Sequence, residues 1–346
     1  TIYCKGYHTH KEVFFMVSIK MFGVRDEERP MAENWAKEHN VKIDMTSDIL
    51  TSDTIDEVKG FDGLTLMQVA EVTDDLYPKL KEFGIKQIAQ RSAGYDMYNL
   101  DAAKENGIII TNVPSYSPES IAEYTVTTAL NLVRKFPLIE KRVKEHNFSW
   151  EPEIRGRVVG DMTVAVIGTG RIGYHVAKIF HGFGAKVVGY DLYPSDKLDG
   201  ILEYRDSVED AIRDADIISL HMPAFKENHH MFNYEMFKKF KSDAVLVNIA
   251  RGALIDTEDL LKALDDGLLA GAGLDVYEHE GPLVPIDLTG KDIEDETFKK
   301  VLESDKIIYS PHVAYYTDEA VKNLVEGGLN ATLEVLETGD ASTRVN

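Results

Sequence analysis

The sequence predicts an α/β protein of two domains, the larger built on a doubly wound, mostly parallel sheet. Three observations carry this. Apolar, β-branched runs alternate with helical spacings from Thr163 onward, a glycine turn links the first of those runs to a helix, and 346 residues exceed one ordinary core.

Residues 1–15 lack the cationic start and unbroken apolar centre of a secretion signal, so they read as an extension, with Met16 as the natural start. Cys4, His8 and His10 fall there; further metal ligands are not evident, and no metal is assigned. From Val17 the runs Val17–Phe22, Phe61–Leu66 and Ile85–Gln90 predict the strands of a small α/β unit. The segment Asn112-Val-Pro-Ser-Tyr116-Ser-Pro118 then predicts a stiff connection, with Ser117 as N-cap and Pro118 at the first helical position. Ile121, Ala122, Val126, Ala129, Leu130 and Val133 share one face of the helix that follows, which can pack within a domain or on another subunit.

The run Thr163–Ile167 leads into Gly168-Thr-Gly170-Arg171-Ile172-Gly173. Gly168 suits a sharp turn out of a strand, Gly170 a close approach of pyrophosphate, and Gly173 tight packing of the new helix on the sheet. The helix opening at Arg171 offers backbone N–H groups and its positive dipole end to an anion. Ile172, Val176, Ile179 and Phe180 follow at helical spacing, and a second strand, Lys186–Tyr190, ends at Asp191. That carboxylate would accept hydrogen bonds from ribose hydroxyls and repel a 2′-phosphate, and Leu192 and Tyr193 bring no compensating cation, so NAD is favoured over NADP.

Four more strands are expected within Asp216–Met222, Ala244–Ile249, Leu269–Asp275 and Ile307–Ser310. In an open α/β sheet, chemistry lies past the carboxyl ends of the strands. The polar residues there are Arg251, Asp275, Glu278, His279, Glu280 and His312. A nicotinamide enzyme reducing a carbonyl needs a proton donor at the oxygen and a cation for an acidic substrate. Histidine beside a carboxylate suits the first role, and the planar fork of arginine the second. Arg251, Glu280 and His312 supply this catalytic set, with Glu278 as the weaker rival of Glu280 and His279 as a solvated neighbour.

Composition sets further bounds. A formal net charge of −21 opposes nucleic-acid binding, and no apolar run approaches the roughly 18 residues of a membrane span. A single cysteine excludes an internal disulfide framework, so a reducing, cytoplasmic setting is expected.

Taken together, Gly168–Gly173 in mid-chain, Asn248-Ile-Ala-Arg251-Gly252, Leu254-Ile-Asp256-Thr, Asp275-Val-Tyr-Glu-His-Glu280 and Ser310-Pro-His312 resemble the D-isomer-specific 2-hydroxyacid dehydrogenases, over nearly all of 16–346. Asn112–Pro118, Gly182-Phe-Gly-Ala185 and Pro311-His-Val-Ala-Tyr-Tyr-Thr317 are most similar to the D-lactate and D-2-hydroxyisocaproate dehydrogenases of fermenting bacteria. The resemblance implies two Rossmann-like domains: an NAD-binding domain, 118–316, and a smaller, discontinuous, flavodoxin-like substrate domain, 16–117 with 317–346. It implies a homodimer, and a cleft that closes on a 2-oxo acid.

The same resemblance assigns roles. Arg251 holds the substrate carboxylate and carbonyl, His312 donates the proton, and Glu280 keeps His312 charged. Gly168, Gly170, Arg171, Ile172, Gly173, Asp191, Met222, Pro223, Asn228, Ile249, Ala250 and Asp275 lie at the cofactor. Met67, Ala93, Gly94, Tyr116 and Tyr315 border the substrate, with the turn Arg91–Gly94 presenting N–H groups to its carboxylate. Met67 stands where lactate enzymes usually place tyrosine, and its flexible thioether predicts acceptance of branched aliphatic or aromatic 2-oxo acids at least as well as pyruvate. The alternatives are a D-lactate dehydrogenase proper and an NAD(H)-sensing binding protein such as the corepressors of this fold. Glu280 disfavours formate chemistry, where glutamine pairs with the histidine, and 34 residues after His312 leave no room for the regulatory domain that phosphoglycerate-type relatives often add.

Overall fold

A computed structural model describes residues 16–346, so the expectations for residues 1–15 and their Cys4, His8 and His10 lie outside the described residues. The chain divides into two compact units, one formed by residues up to Tyr116 together with Asp318–Asn346, the other by Ser117–Thr317.

The first unit holds a parallel five-stranded sheet of β1 (Ser18–Phe22), β2 (Lys42–Met45), β3 (Gly63–Leu66), β4 (Gln87–Gln90) and β5 (Ile109–Thr111), in the order β2-β1-β3-β4-β5. Successive strand residues face opposite sides. Ile19 and Met21 therefore pack with Trp35, Val325 and Leu329 of the helices Arg29–His39 and Asp318–Thr338. Phe22, Leu64 and Leu66 pack instead with Leu76, Leu80, Ile88 and Ile110. The strands begin later than the apolar runs that predict them. Phe61 N–H closes a turn on the Val58 carbonyl, and Ile85 N–H closes the end of a helix on the Leu80 carbonyl. A feature without a sequence pattern is the C-terminal tail, whose Val345 N–H binds the Ile110 carbonyl while Thr111 bridges Arg344 in antiparallel fashion.

The second unit holds seven parallel strands: β6 (Thr163–Ile167), β7 (Lys186–Tyr190), β8 (Glu203–Tyr204), β9 (Ile217–Leu220), β10 (Val245–Asn248), β11 (Gly271–Leu274) and β12 (Ile307–Tyr309). Their order, β12-β11-β10-β9-β6-β7-β8, reverses between β6 and β9, the point at which a doubly wound sheet opens a ligand crevice. Six of these strands fall within the predicted runs. The seventh, β8, is a two-residue edge paired only with Val188 and Gly189, too short to show any alternation. The helix Pro118–Val133 starts as expected, with Ser117 Oγ accepting from Ser120 N–H. It packs on the helix Arg171–Gly182 and on β10 and β11, so its apolar face is used inside the unit. The buried face is broader than the apolar residues alone, since Thr125 and Thr128 are buried too, Thr125 donating to the Ile121 carbonyl. Among the described residues, no helix is long and apolar enough to cross a membrane.

Candidate active site

At the β6 turn, Gly168 adopts φ +92°, and a Cβ there would lie 2.7 Å from the His221 carbonyl carbon and 2.8 Å from Met222 N. A Cβ on Gly173 would lie 2.0 Å from the Gly168 oxygen. Side chains are thus excluded at both positions by backbone, and no small adjustment would admit them. Gly170 is the N-cap of the helix Arg171–Gly182, and a Cβ there would meet nothing within 4 Å, so space is open in front of the first-turn N–H groups. Asp191, just past β7, accepts from Thr169 N–H at 2.6 Å, Thr169 Oγ1 at 3.2 Å and Tyr193 N–H at 2.9 Å. The carboxylate is held at the edge of the turn beside the exposed Leu192 and Tyr193. Backbone donors, an open N-terminus and an acidic group one strand away fit an adenine dinucleotide without a 2′-phosphate.

Two neighbours of this turn escape sequence reading. Thr169 links Asp191 to Tyr204 Oη, at 2.9 Å. His221 follows β9, and burial pushes its imidazole down to about 3, so it is neutral and pairs with Ser219 Oγ at 2.7 Å. In the loop after β9, Asn228 accepts from Phe225 N–H and donates to the Pro223 carbonyl, fixing the shape of the segment that carries Met222 and Pro223.

Past β10, the buried Asn248 folds the chain back on itself. Its side chain accepts from Ala250 N–H and donates to the Arg251 carbonyl, at 3.0 and 2.9 Å, after the nearly buried Ile249. Arg251 Nη1 donates to the Ala250 carbonyl at 2.8 Å. A Cβ on Gly252 would lie 2.2 Å from the Tyr277 carbonyl carbon, so glycine lets the Arg251 loop rest directly on the loop after β11.

That second loop carries Glu280, whose Oε1 lies 2.7 Å from His312 Nδ1 and whose Oε2 accepts from Tyr277 N–H. The His312 side chain is 40% exposed against 20% for Glu280, so the ring remains reachable while its partner is sheltered. His312 has φ +56°, a left-handed conformation that costs a non-glycine residue about 1 kcal/mol. Asp275 opposes that cost. Its carbonyl accepts from His312 N–H at 2.7 Å, and its buried carboxylate accepts from Ser310 Oγ, Val313 N–H and Ala314 N–H. Burial holds the Asp275 carboxyl above its usual range despite these bonds. The structure therefore gives Asp275 the task of shaping the turn that presents His312. Glu278, two residues before Glu280, faces away from His312 and pairs with His230 at 2.7 Å, while His279 is largely exposed. Tyr315 stands edge-on to Tyr316 further along the same turn.

In the first unit, Met67 follows β3, its N–H on the Phe22 carbonyl. Arg91 follows β4 with its guanidinium fully buried, donating to Thr65 Oγ1 and to the Phe22 and Gly23 carbonyls, and lying 3.5 Å from the buried Glu28. It thereby ties together the ends of β1, β3 and β4 beneath the turn Ser92–Gly94. Asn112 Nδ2 holds that turn through the Ala93 carbonyl, and Ser92 Oγ donates to the Gly94 carbonyl. The Tyr116 carbonyl accepts from Asn323.

A doubly wound sheet with this glycine turn, and a carboxylate-paired histidine beyond its neighbouring strands, defines the class of nicotinamide-dependent oxidoreductases. Residues 126–314 match the family described as D-isomer specific 2-hydroxyacid dehydrogenase, NAD binding domain. The chain is 60% identical over 330 residues to the D-lactate dehydrogenase of Streptococcus agalactiae, covering 95% of this chain and all of the relative. Two solved structures, a D-lactate dehydrogenase from Treponema pallidum and a D-2-hydroxyisocaproate dehydrogenase, each superpose with a TM-score of 0.89 over 95% of this chain. They share 39% and 34% identity with it, and 100% and 99% of their own lengths are covered. The chain belongs to the D-isomer-specific 2-hydroxyacid dehydrogenases. It is an NAD-dependent oxidoreductase acting on the CH–OH group of a D-2-hydroxy acid.

Proposed function

We propose that the chain is a D-lactate dehydrogenase, reversibly reducing pyruvate to D-lactate with NADH. The observation that carries this reading is 60% identity, over the whole of the relative, to a D-lactate dehydrogenase. It favours pyruvate over the branched or aromatic 2-oxo acids that the thioether of Met67 predicts. NADH held at the glycine turn would supply the hydride that reduces the carbonyl carbon. Arg251 grips the substrate carboxylate and polarises its carbonyl. Because Nδ1 of His312 is committed to Glu280, Nε2 is the ring nitrogen that delivers the proton to the carbonyl oxygen, and Glu280 stabilises the imidazolium that delivers it. In the reverse direction the same nitrogen takes the hydroxyl proton. Asp191 would hold the adenosine ribose of that cofactor, and Gly168 to Gly173 would receive its pyrophosphate.

NADH oxidation against pyruvate, 2-oxoisocaproate and phenylpyruvate, with chiral analysis of the products, tests the substrate. Pyruvate is expected to show a kcat/KM about tenfold or more above the others, since pocket size discriminates extra methylenes by that order, and the product should be D-lactate. Preference for either larger acid, or L-lactate as product, would overturn the reading; failure to turn over any 2-oxo acid would favour an NAD(H)-sensing role. For Asp191→Ala, loss of charged hydrogen bonds should weaken NADH about tenfold or more while leaving NADPH no worse. Fluorescence titration of both nucleotides checks this, and an unchanged NADH affinity would remove Asp191 from the ribose site.

A cytoplasmic homodimer belongs to the same proposal. The single cysteine supports a reducing compartment, and light scattering of the purified protein reads the assembly.

A further inference from the structure

Outside the proton-delivery pair, a second histidine sits between two carboxylates. His230 Nε2 lies 2.7 Å from Glu278 Oε2, and its Nδ1 lies 3.3 Å from Asp256 Oδ2. The first contact is a hydrogen bond, and the second lies within ion-pairing distance. The ring stacks on His229 at a centroid distance of 3.9 Å, and His279 Nε2 approaches the same Glu278 oxygen at 4.0 Å. These four side chains are the titratable groups that face it.

The backbone is committed to the same arrangement. His230 has φ +50°, held by its N–H on the Ala253 carbonyl and by Asn233 Nδ2 on its own carbonyl. Phe232 N–H binds the Leu254 carbonyl and Asp256 N–H binds the Phe232 carbonyl, lacing 230–232 to 253–256. Glu278 Oε1 completes the junction by accepting from Thr257 N–H at 3.1 Å. Burial raises the Glu278 carboxyl, but the bonds from Thr257 and His230 outweigh it and hold the group below its usual range. Three segments of the second unit thus converge on one carboxylate that is 11% exposed. That carboxylate sits two residues before Glu280, on backbone that presses directly against Gly252 beside Arg251.

We propose that His230 is a positioning residue: set between Asp256 and Glu278, it fixes Glu278 through its Nε2 contact and so places Glu280 against His312 and the Arg251 loop against the loop that carries both glutamates. The inference rests on the reading of Glu280 and His312 as the proton-delivery pair. It predicts a dependence of turnover on His230 that acts through Glu280, although His230 touches neither substrate nor cofactor in this role.

The test is a double-mutant cycle on the full-length enzyme, with kcat for pyruvate reduction measured across pH and NADH affinity measured by fluorescence. His230→Asn is expected to lower kcat about tenfold, to move the alkaline limb of the profile toward acid, and to leave the NADH Kd within about twofold. In an E280Q background the same replacement should cost less than about twofold, because the carboxylate it positions is already gone. Glu278→Gln removes the charge from the other side of the brace with little change of shape, and should reproduce the direction of both effects if His230→Asn does not fold. Equal losses in the wild-type and E280Q backgrounds, or an unchanged kcat and pH profile for both variants, would overturn the positioning role. An E280Q enzyme with wild-type kcat and pH profile would overturn the proton-delivery reading itself, and the brace with it.

Discussion

Replacing His312 with asparagine should lower kcat for pyruvate reduction by about 10²–10⁴, the range a positioned general acid supplies, while leaving NADH affinity within about twofold. Asparagine is the informative choice because it tolerates left-handed backbone, so φ +56° is kept while the proton donor is lost. The turn is also held independently of the ring, through Asp275 and the N–H groups of residues 312, 313 and 314. Loss of activity therefore reports on the imidazole and not on collapse of its support. Stopped-flow hydride transfer with a parallel NADH titration separates the two readouts. A variant retaining more than about a tenth of wild-type kcat would assign proton delivery to another group.

Arg251→Lys should lower kcat/KM for pyruvate by about 10²–10³, with NADH binding little affected. Charge is retained, but an ammonium cannot present two parallel N–H donors to a carboxylate. The guanidinium stands on a loop fixed from both sides, by Asn248 within the loop and by the backbone contact at Gly252. A shorter, freely rotating ammonium uses little of that preparation. Steady-state kinetics over a pyruvate series reads the effect. A loss below about fivefold would show that simple charge attraction suffices and would count against a bidentate clamp.

The cofactor turn was legible because steric demands dictate residue type there: backbone lies within 3 Å of any Cβ at Gly168 or Gly173, so glycine is written into the chain. β6, β9 and β10 were legible for a related reason, since strands buried on both faces read as unbroken apolar runs. Other features leave no local trace. β8 owes its existence to an edge of β7, and Thr111 meets Arg344 across most of the chain. At the site, Glu278 and Glu280 are two acids in one loop, and it is the resemblance, not their spacing, that favours Glu280. What separates them is the fold of that loop, which turns one toward His312 and the other toward His230. The tasks of Asn248, Thr169 and His230 leave no local signal because their partners are backbone groups or distant acids.

The discontinuity of the first unit bears on how the polypeptide matures on the ribosome. Ile19 and Met21 share their cluster with Trp35 and with Val325 and Leu329, so one face of β1 is only partly covered until the helix Asp318–Thr338 has emerged. The whole of 117–317 is synthesised in between and has its own apolar clusters to collapse around. A nascent chain can therefore collapse 117–317 before the helix Asp318–Thr338 arrives to complete the amino-terminal sheet. Truncation within 318–346 should spare nucleotide binding while leaving the amino-terminal sheet exposed to aggregation.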